Sequence, residues 1–286
     1  MRAKTTIVCT MGSFSFDGQR LAYTEYGSGP RLTVLLHGLL FNQRMHAALA
    51  RALAARGERV VTLDLLGHGE SDRPREKWRY SMPQFGAQVI ALLDALDAPE
   101  AVVMGTSLGA NVALEAAVLA PARVRGLVIE MPVLDHALLG CAIAFTPLMV
   151  ALTAGEPAMR LLSRGTRLIP RQRLPWQVDI LLDWVRQDPE PSAAVLQGLF
   201  FGRTAPPRAE RMKIDSPALV IGHQYDVIHP FSDAGALAAE LPNGRLLQAY
   251  SLIELRVAPR RLTDEIAAFV DECWRLRAAP PRARAS

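Results

Sequence analysis

Short apolar runs alternate with helical segments along most of this chain, and that alternation narrows the fold more than any other feature. "RLTVLLHGLL" (31–40) is a short continuous apolar run of the kind found in strands buried on both faces. "QRMHAALARALAARG" (43–57) follows with helical spacing and stops at Gly57. The pattern continues as strand "RVVTLDL", helix "MPQFGAQVIALLDALD", strand "AVVMG", helix "LGANVALEAAVLA" and strand "RVRGLVIE". Strands that alternate with helices of this length imply crossover connections, and therefore a parallel sheet covered by helices on both faces. Ahead of this series, "FSFDGQRLAYTEYG" has alternating residues around Asp17-Gly18 and predicts a hairpin.

From Pro132 to about Pro207 the pattern changes to apolar helical segments interrupted by Pro147, Pro157, Pro170, Pro175, Pro189 and Pro191. This reads as a helical cap inserted into the α/β core. The alternation then resumes with "PALVIGHQYD", "PFSDAGALAAELP", "GRLLQAYS" and "RRLTDEIAAFVDECWRL". The expected organisation is core at 1–131, cap at 132–207, core again at 208–277 and a disordered tail at 278–286. The most apolar stretch, "ALLGCAIAFTPLMVALTAG" (137–155), approaches membrane-span length but contains Pro147. It is read as a buried or substrate-lining helix pair without stable membrane insertion, with a lid that touches a membrane left open.

Composition excludes some functional classes. Half of the residues are apolar, which favours a folded domain over disorder. The net charge of +4 comes from scattered arginines and the terminal "RLRAAPPRARAS", not from a basic face with aromatics, so no nucleic-acid partner is expected. Cys9, Cys141 and Cys273 are odd in number and widely spaced, so neither a disulfide framework nor a zinc knuckle is suggested. With no evident signal peptide, a cytoplasmic location is expected.

Strand "AVVMG" runs straight into "GTSLGAN", and Gly105 to Gly109 fit the pattern GxSxG. In a sharp turn from strand to helix, a serine is held in a strained backbone conformation and flanking glycines remove side chains that would collide. Ser107 is thereby presented at the carboxyl edge of the sheet. A serine hydroxyl needs a base, oxyanion donors and a group that orients the base. The backbone N–H of Leu108, at the helix start, is one candidate donor, and that of Leu39, directly after the "HG" ending "TVLLHG", is the second.

Together, "LLHGLL", "DLLGHGESD", "GTSLGAN" and "GHQYDVIHP", in this order and on these elements, resemble the α/β-hydrolase superfamily. The resemblance implies a mostly parallel eight-stranded sheet with flanking helices and a helical cap insertion. It also implies Ser107 as nucleophile, Leu39 and Leu108 at the oxyanion hole, Asp226 as triad acid, and structural roles for His37 and His68. A serine nucleophile excludes the aspartyl-ester chemistry of haloalkane dehalogenases and epoxide hydrolases. Glu130, ending "GLVIE", stands where some members of the superfamily place the acid; a polar residue near the cap hinge is the plainer reading.

One departure is prominent. The superfamily's base is a histidine in the loop after the last strand, but here that loop reads "QAYSLIELRVAPRRL" and no histidine follows. His229 is the leading replacement, since the residue just before the proline in "DVIHP" lines the site in similar hydrolases. Against it, Asp226 lies only three residues away on the same loop, a poor spacing for orienting that ring. His136, at the start of the cap, is a second candidate by swinging in on closure. His223 and His37 are read as structural. His223, Asp226 and His229 would converge on a metal only on a helix, and Pro230 argues for an extended turn, so neither metal nor cofactor is expected. Two functions follow. One is a serine esterase-like hydrolase of medium-sized, apolar carboxylic esters or thioesters. The other is a protein of the same fold without hydrolysis, binding a small molecule or acting as a biosynthetic cyclase or transferase.

Overall fold

A computed structural model describes residues 9–170 and 174–276. The segments read as strands form one sheet: β1 (Cys9–Phe16), β2 (Gln19–Tyr26), β3 (Leu32–Leu36), β4 (Arg59–Leu63), β5 (Ala101–Thr106), β6 (Val124–Glu130), β7 (Ala218–His223) and β8 (Gly244–Ala249). Their order is β1-β2-β4-β3-β5-β6-β7-β8, and only β2 runs against its neighbours. This is the eight-stranded, mostly parallel sheet that the α/β-hydrolase resemblance implies. Asp17 and Gly18 both have positive φ, at 49° and 72°, which matches the twist of the β1–β2 hairpin.

The helices are α1 (Ala47–Ala54), α2 (Met82–Ala95), α3 (Leu108–Leu119), α4 (Ala137–Thr153), α5 (Glu156–Arg167), α6 (Trp176–Val185), α7 (Pro189–Phe200), α8 (Arg208–Arg211), α9 (Phe231–Glu240), α10 (Glu254–Val257) and α11 (Arg260–Leu276). Alternate strand residues face opposite sides of a sheet, and each side must be covered. Val34, Leu36, Val103, Leu127, Ile129 and Val220 pack with Phe85, Val89 and Leu114 of α2 and α3 and Leu237 of α9. Leu35, Val102, Met104, Val128, Leu219 and Ile221 pack on the other side with Leu49 and Leu53 of α1 and Ile266 and Phe269 of α11. The continuous apolar runs are the consequence of this double burial.

Between β6 and β7 the chain leaves the sheet for α4 to α7, within the segment expected as a cap. The prolines there behave differently from a simple series of breaks. Pro157, Pro189 and Pro191 lie in the first turns of α5 and α7, where a missing N–H is tolerated, whereas Pro147 lies inside α4. Nor is the α4–α5 pair buried. α4 lines a cavity on one side and leaves Leu139, Ile143 and Val150 exposed on the other. The expected tail at 278–286 lies outside the described residues.

All the parallel strands end at one edge, the edge at which open α/β sheets hold their ligands. Phe85 of α2 is completely buried under that edge, its ring 6.2 Å from His68 and 6.4 Å from Tyr80. Phe85→Ala is expected to cost about 3–5 kcal/mol. Urea denaturation should show it as a lowered midpoint with an unchanged slope.

Candidate active site

The turn from β5 into α3 carries Ser107 at φ 55° and ψ −113°, a conformation that disfavours any side chain. Two glycines make the turn possible. A Cβ on Gly105 would stand 2.0 Å from the backbone of Gly109, and one on Gly109 would stand 2.3 Å from the Leu36 carbonyl oxygen. The Ser107 N–H donates to the Glu130 carbonyl at 2.9 Å, and the Ser107 carbonyl accepts from Ala110 at 2.9 Å. The strained residue is therefore tied to β6 on one side and to α3 on the other.

Ser107 Oγ lies 2.9 Å from His229 Nε2, and His229 Nδ1 lies 2.8 Å from Asp226 Oδ2. A carboxylate can only accept, so Nδ1 carries the proton and Nε2 is left to accept from the serine hydroxyl. The spacing of three residues works because Asp226 folds its own turn. Its Oδ1 accepts the backbone N–H of Ile228 at 2.9 Å and of His229 at 3.0 Å, which curls the chain and brings the ring back over Oδ2. Burial pushes the Asp226 carboxyl up, but the hydrogen bonds from the His229 ring and from the two amides outweigh it and hold its pKa below the ordinary aspartate value.

Leu39 and Leu108 line the same cavity as Ser107, and a Cβ on Gly38 would come within 3.9 Å of the Ser107 Cβ. The turn after β3 thus abuts the serine where oxyanion donors would have to stand. The cavity measures about 240 Å³ and its wall is mostly apolar, from Met82, Val133, Leu138, Phe145, Leu196 and Leu199.

The other histidines are engaged elsewhere. His37 Nδ1 donates to the Gly38 carbonyl at 2.8 Å and its Nε2 accepts the Leu65 N–H at 3.1 Å; burial lowers its pKa and keeps the ring neutral. His68, also lowered by burial, donates to Leu66, and its ring lies 4.8 Å from that of His37. His46 donates to the Leu36 carbonyl, and burial pushes its pKa down to about 3. His136 pairs with Asp233 at 2.7 Å and not with Ser107. The buried Asp233 carboxylate also accepts the N–H groups of Leu134, His136 and Ala137 and so anchors the start of α4. His223 bonds the Ser251 carbonyl and turns toward Glu130, away from the Asp226–His229 pair. Among the described residues no three His, Cys, Asp or Glu side chains converge as a metal site would require.

Glu130 is paired, not idle. Its Oε2 accepts from Arg256 at 2.9 Å and from the Thr106 hydroxyl, and His223 Nε2 lies 3.5 Å from Oε1. Burial would raise the Glu130 carboxyl, but the Arg256 charge, with His223 and Thr106, pulls it well below the carboxylate range. Burial lowers His223 in turn, and the neighbouring Glu130 more than reverses this, so its pKa is raised. The loop after β8, lacking the superfamily's histidine, thus supplies Arg256 to a carboxylate directly behind the serine turn.

Two residues of this site went unrecognised in the sequence. Arg256 carried no signal beyond lying in the unusual loop. Asn111 did carry one, as a polar residue inside the apolar helix "LGANVALEAAVLA". Its amide donates to Val133 and Thr204, each at 2.8 Å, and so clasps both ends of the inserted helices.

The chain was compared with known proteins. Residues 33–149 match the sequence model of a family described as α/β hydrolase fold. An uncharacterised protein of Mycobacterium tuberculosis is 36% identical over 116 residues, 39% of this chain and 32% of that protein, so the match spans about a third of the relative's length. Among solved structures, a hydrolase from Pseudomonas aeruginosa superposes with a TM-score of 0.75 at 25% identity, over 91% of this chain and 98% of the other. The enol-lactonase from Burkholderia xenovorans does so with a TM-score of 0.75 at 24% identity, over 91% of this chain and all of the other.

Removing one partner of a buried ion pair strands the other charge, so Arg256→Gln is expected to cost about 3–5 kcal/mol at neutral pH. Because the folded pKa of Glu130 is depressed, its ionisation stabilises the fold above the unfolded carboxyl range near 4.5, and that contribution is lost as pH falls through the lower folded value. The gap between wild type and variant should therefore narrow in acid, where the stranded carboxylate is neutralised. Chemical denaturation across the pH range measures it.

Proposed function

Because this chain belongs to the α/β-hydrolase superfamily, we propose that it hydrolyses small apolar carboxylic esters or thioesters through an acyl-enzyme on Ser107. The observation that carries this reading is the unbroken relay from Ser107 Oγ through His229 to Asp226, at 2.9 and 2.8 Å. Here His229 Nε2 takes the hydroxyl proton as Oγ attacks the carbonyl carbon, and Asp226 holds the ring and stabilises the imidazolium. The N–H groups of Leu39 and Leu108 receive the charge that develops on the carbonyl oxygen. When the tetrahedral adduct collapses, the C–O or C–S bond breaks and the imidazolium returns its proton to the leaving alcohol or thiol. Water then attacks the acyl-enzyme with His229 again as base, which releases the acid and restores the serine.

The helices of residues 132–207 act in this reading as a cap that shapes the acyl site. Leu138 and Phe145 on α4 and Leu196 and Leu199 on α7 supply an apolar wall to the cavity that holds Ser107. At about 240 Å³ the cavity is smaller than the roughly 300–1,000 Å³ that encloses a drug-sized ligand, which favours short to medium acyl groups.

A series of p-nitrophenyl esters of increasing chain length, together with a fluorophosphonate probe, tests the proposal. Turnover should peak at short to medium chains, and mass spectrometry should place the label on Ser107. Ser107→Ala should abolish both signals. His229→Ala should lower kcat/KM by at least about 10⁴-fold with the unfolding midpoint little changed. An activity that survives Ser107→Ala would overturn the acyl-enzyme and favour the second reading, a binder, cyclase or transferase on the same fold.

A further inference from the structure

The helix α5 is amphipathic, but it is mounted the wrong way round for a helix that serves only its own core. Met159 packs inward against Leu152 and Leu196, but Leu161 and Leu162, with Leu168 just past the helix end, look outward and are 73%, 49% and 83% exposed. Part of its polar side looks inward. Ser163 is buried and donates to the carbonyls of Arg186 and Gln187, and Arg167 Nε donates to the Arg186 carbonyl at 2.8 Å. The preceding α4, bent from α5 by 95°, also turns apolar residues to water. Leu139, Ile143 and Val150, at spacings of four and seven, are 71%, 68% and 53% exposed, on a helix of seventeen residues without a charge. Single exposed leucines are ordinary, but an entire apolar helix face turned to water is a docking surface that wants an occupant.

Charge identifies the occupant. Along one edge of the apolar face of α5 stand Arg160, Arg164 and Arg167: Arg160 is bound by Glu156, the one acid of the pair of helices, and lies 3.9 Å from Glu190 of α7, whereas Arg167 gives its Nε to a neutral carbonyl and keeps its charge, so the edge stays cationic. An apolar stripe edged by arginines complements an anionic lipid surface, in which the aliphatic side chains enter the acyl boundary and the guanidinium groups meet the phosphates. A second copy of the chain fits less well. Two-fold pairing through this face would bring the same cationic border against itself. Nor is this a membrane span. No single helix among the described residues is long and apolar enough to cross a bilayer, and α4 and α5 reach such a length only as a pair bent by 95°. We propose that the outer face of α4 and α5 docks the protein peripherally on anionic membranes.

Docking and hydrolysis are separable, so the test reads binding and not turnover. The full chain is sedimented with vesicles of phosphatidylcholine alone and of phosphatidylcholine mixed with phosphatidylglycerol. Wild type should partition at least about tenfold more strongly onto the anionic vesicles and come off as salt rises. The double variant Leu161→Asp/Leu168→Asp should lose at least tenfold in partition with an unchanged thermal unfolding midpoint, since both side chains face water. Arg164→Gln should weaken binding to anionic vesicles only. Absence of partition by wild type, equal partition onto neutral vesicles, or undiminished partition of the leucine variant would each overturn the proposal. So would a wild-type dimer in sedimentation equilibrium that the leucine variant turns into a monomer without any vesicle binding, which would assign the face to a second copy. Failure of esterase activity would leave these readouts untouched.

Discussion

Helix α3 meets the strands beneath it backbone to backbone, and the candidate site is built on that approach. Gly105 and Gly109 let helix and strand touch backbone to backbone, with no room for a methyl group on either. Ser107 at the apex then has no relaxed conformation available, and its positive φ is maintained by hydrogen bonds to β6 and α3. Strain at a single residue persists only when the surroundings over-determine it. Here the surroundings are the interior strands β5 and β6 and a helix buried almost throughout.

Behind the apex, Glu130 and Arg256 add a second constraint. A buried ion pair is weak evidence for stability, because desolvation of two charges offsets much of their attraction. Its value here is positional. Arg256 comes from α10, in the loop after β8, and Glu130 ends β6, so the pair fastens the last loop of the sheet to the strand that receives the Ser107 amide. Superfamily chemistry would ask that loop for a histidine. In this chain the loop instead contributes a cation that neutralises the carboxylate next to the serine turn.

Much of the fold was legible in the residues, and the reasons are specific. "RLTVLLHGLL" and "AVVMG" are largely apolar through their strands because both faces of β3 and β5 are covered, and Asp17-Gly18 marks its hairpin because both residues reach positive φ cheaply. Ser107 was legible for the same kind of reason, as a local pattern with a local steric cause. The Asp226–His229 pairing was not, since a spacing of three looks unworkable until the aspartate's second oxygen is seen to cap the turn that makes it workable. Arg256 was silent because its partner is 126 residues away, and no periodicity reports a contact of that range. Of the two readings of 137–155, buried or substrate-lining, α4 fits the second on one side only, because composition gives hydrophobicity without telling which way each face of a helix turns.

The turn at Asp226 has a consequence for how much of the chain must be brought into register to assemble the site. Where acid and base hang from different loops, three separate segments have to arrive together, and each carries its own conformational entropy to be lost. Here the carboxylate and the imidazole are built into one four-residue turn, closed by the hydrogen bonds of a single side chain. Only two bodies remain to be aligned, the elbow and the turn, and they sit on β5 and β7, strands separated by β6 alone. The edge strand β8 and the helix beyond it are thereby released from holding any reactive atom. What the rim still supplies is positional, the Arg256 cation that holds Glu130 behind the elbow.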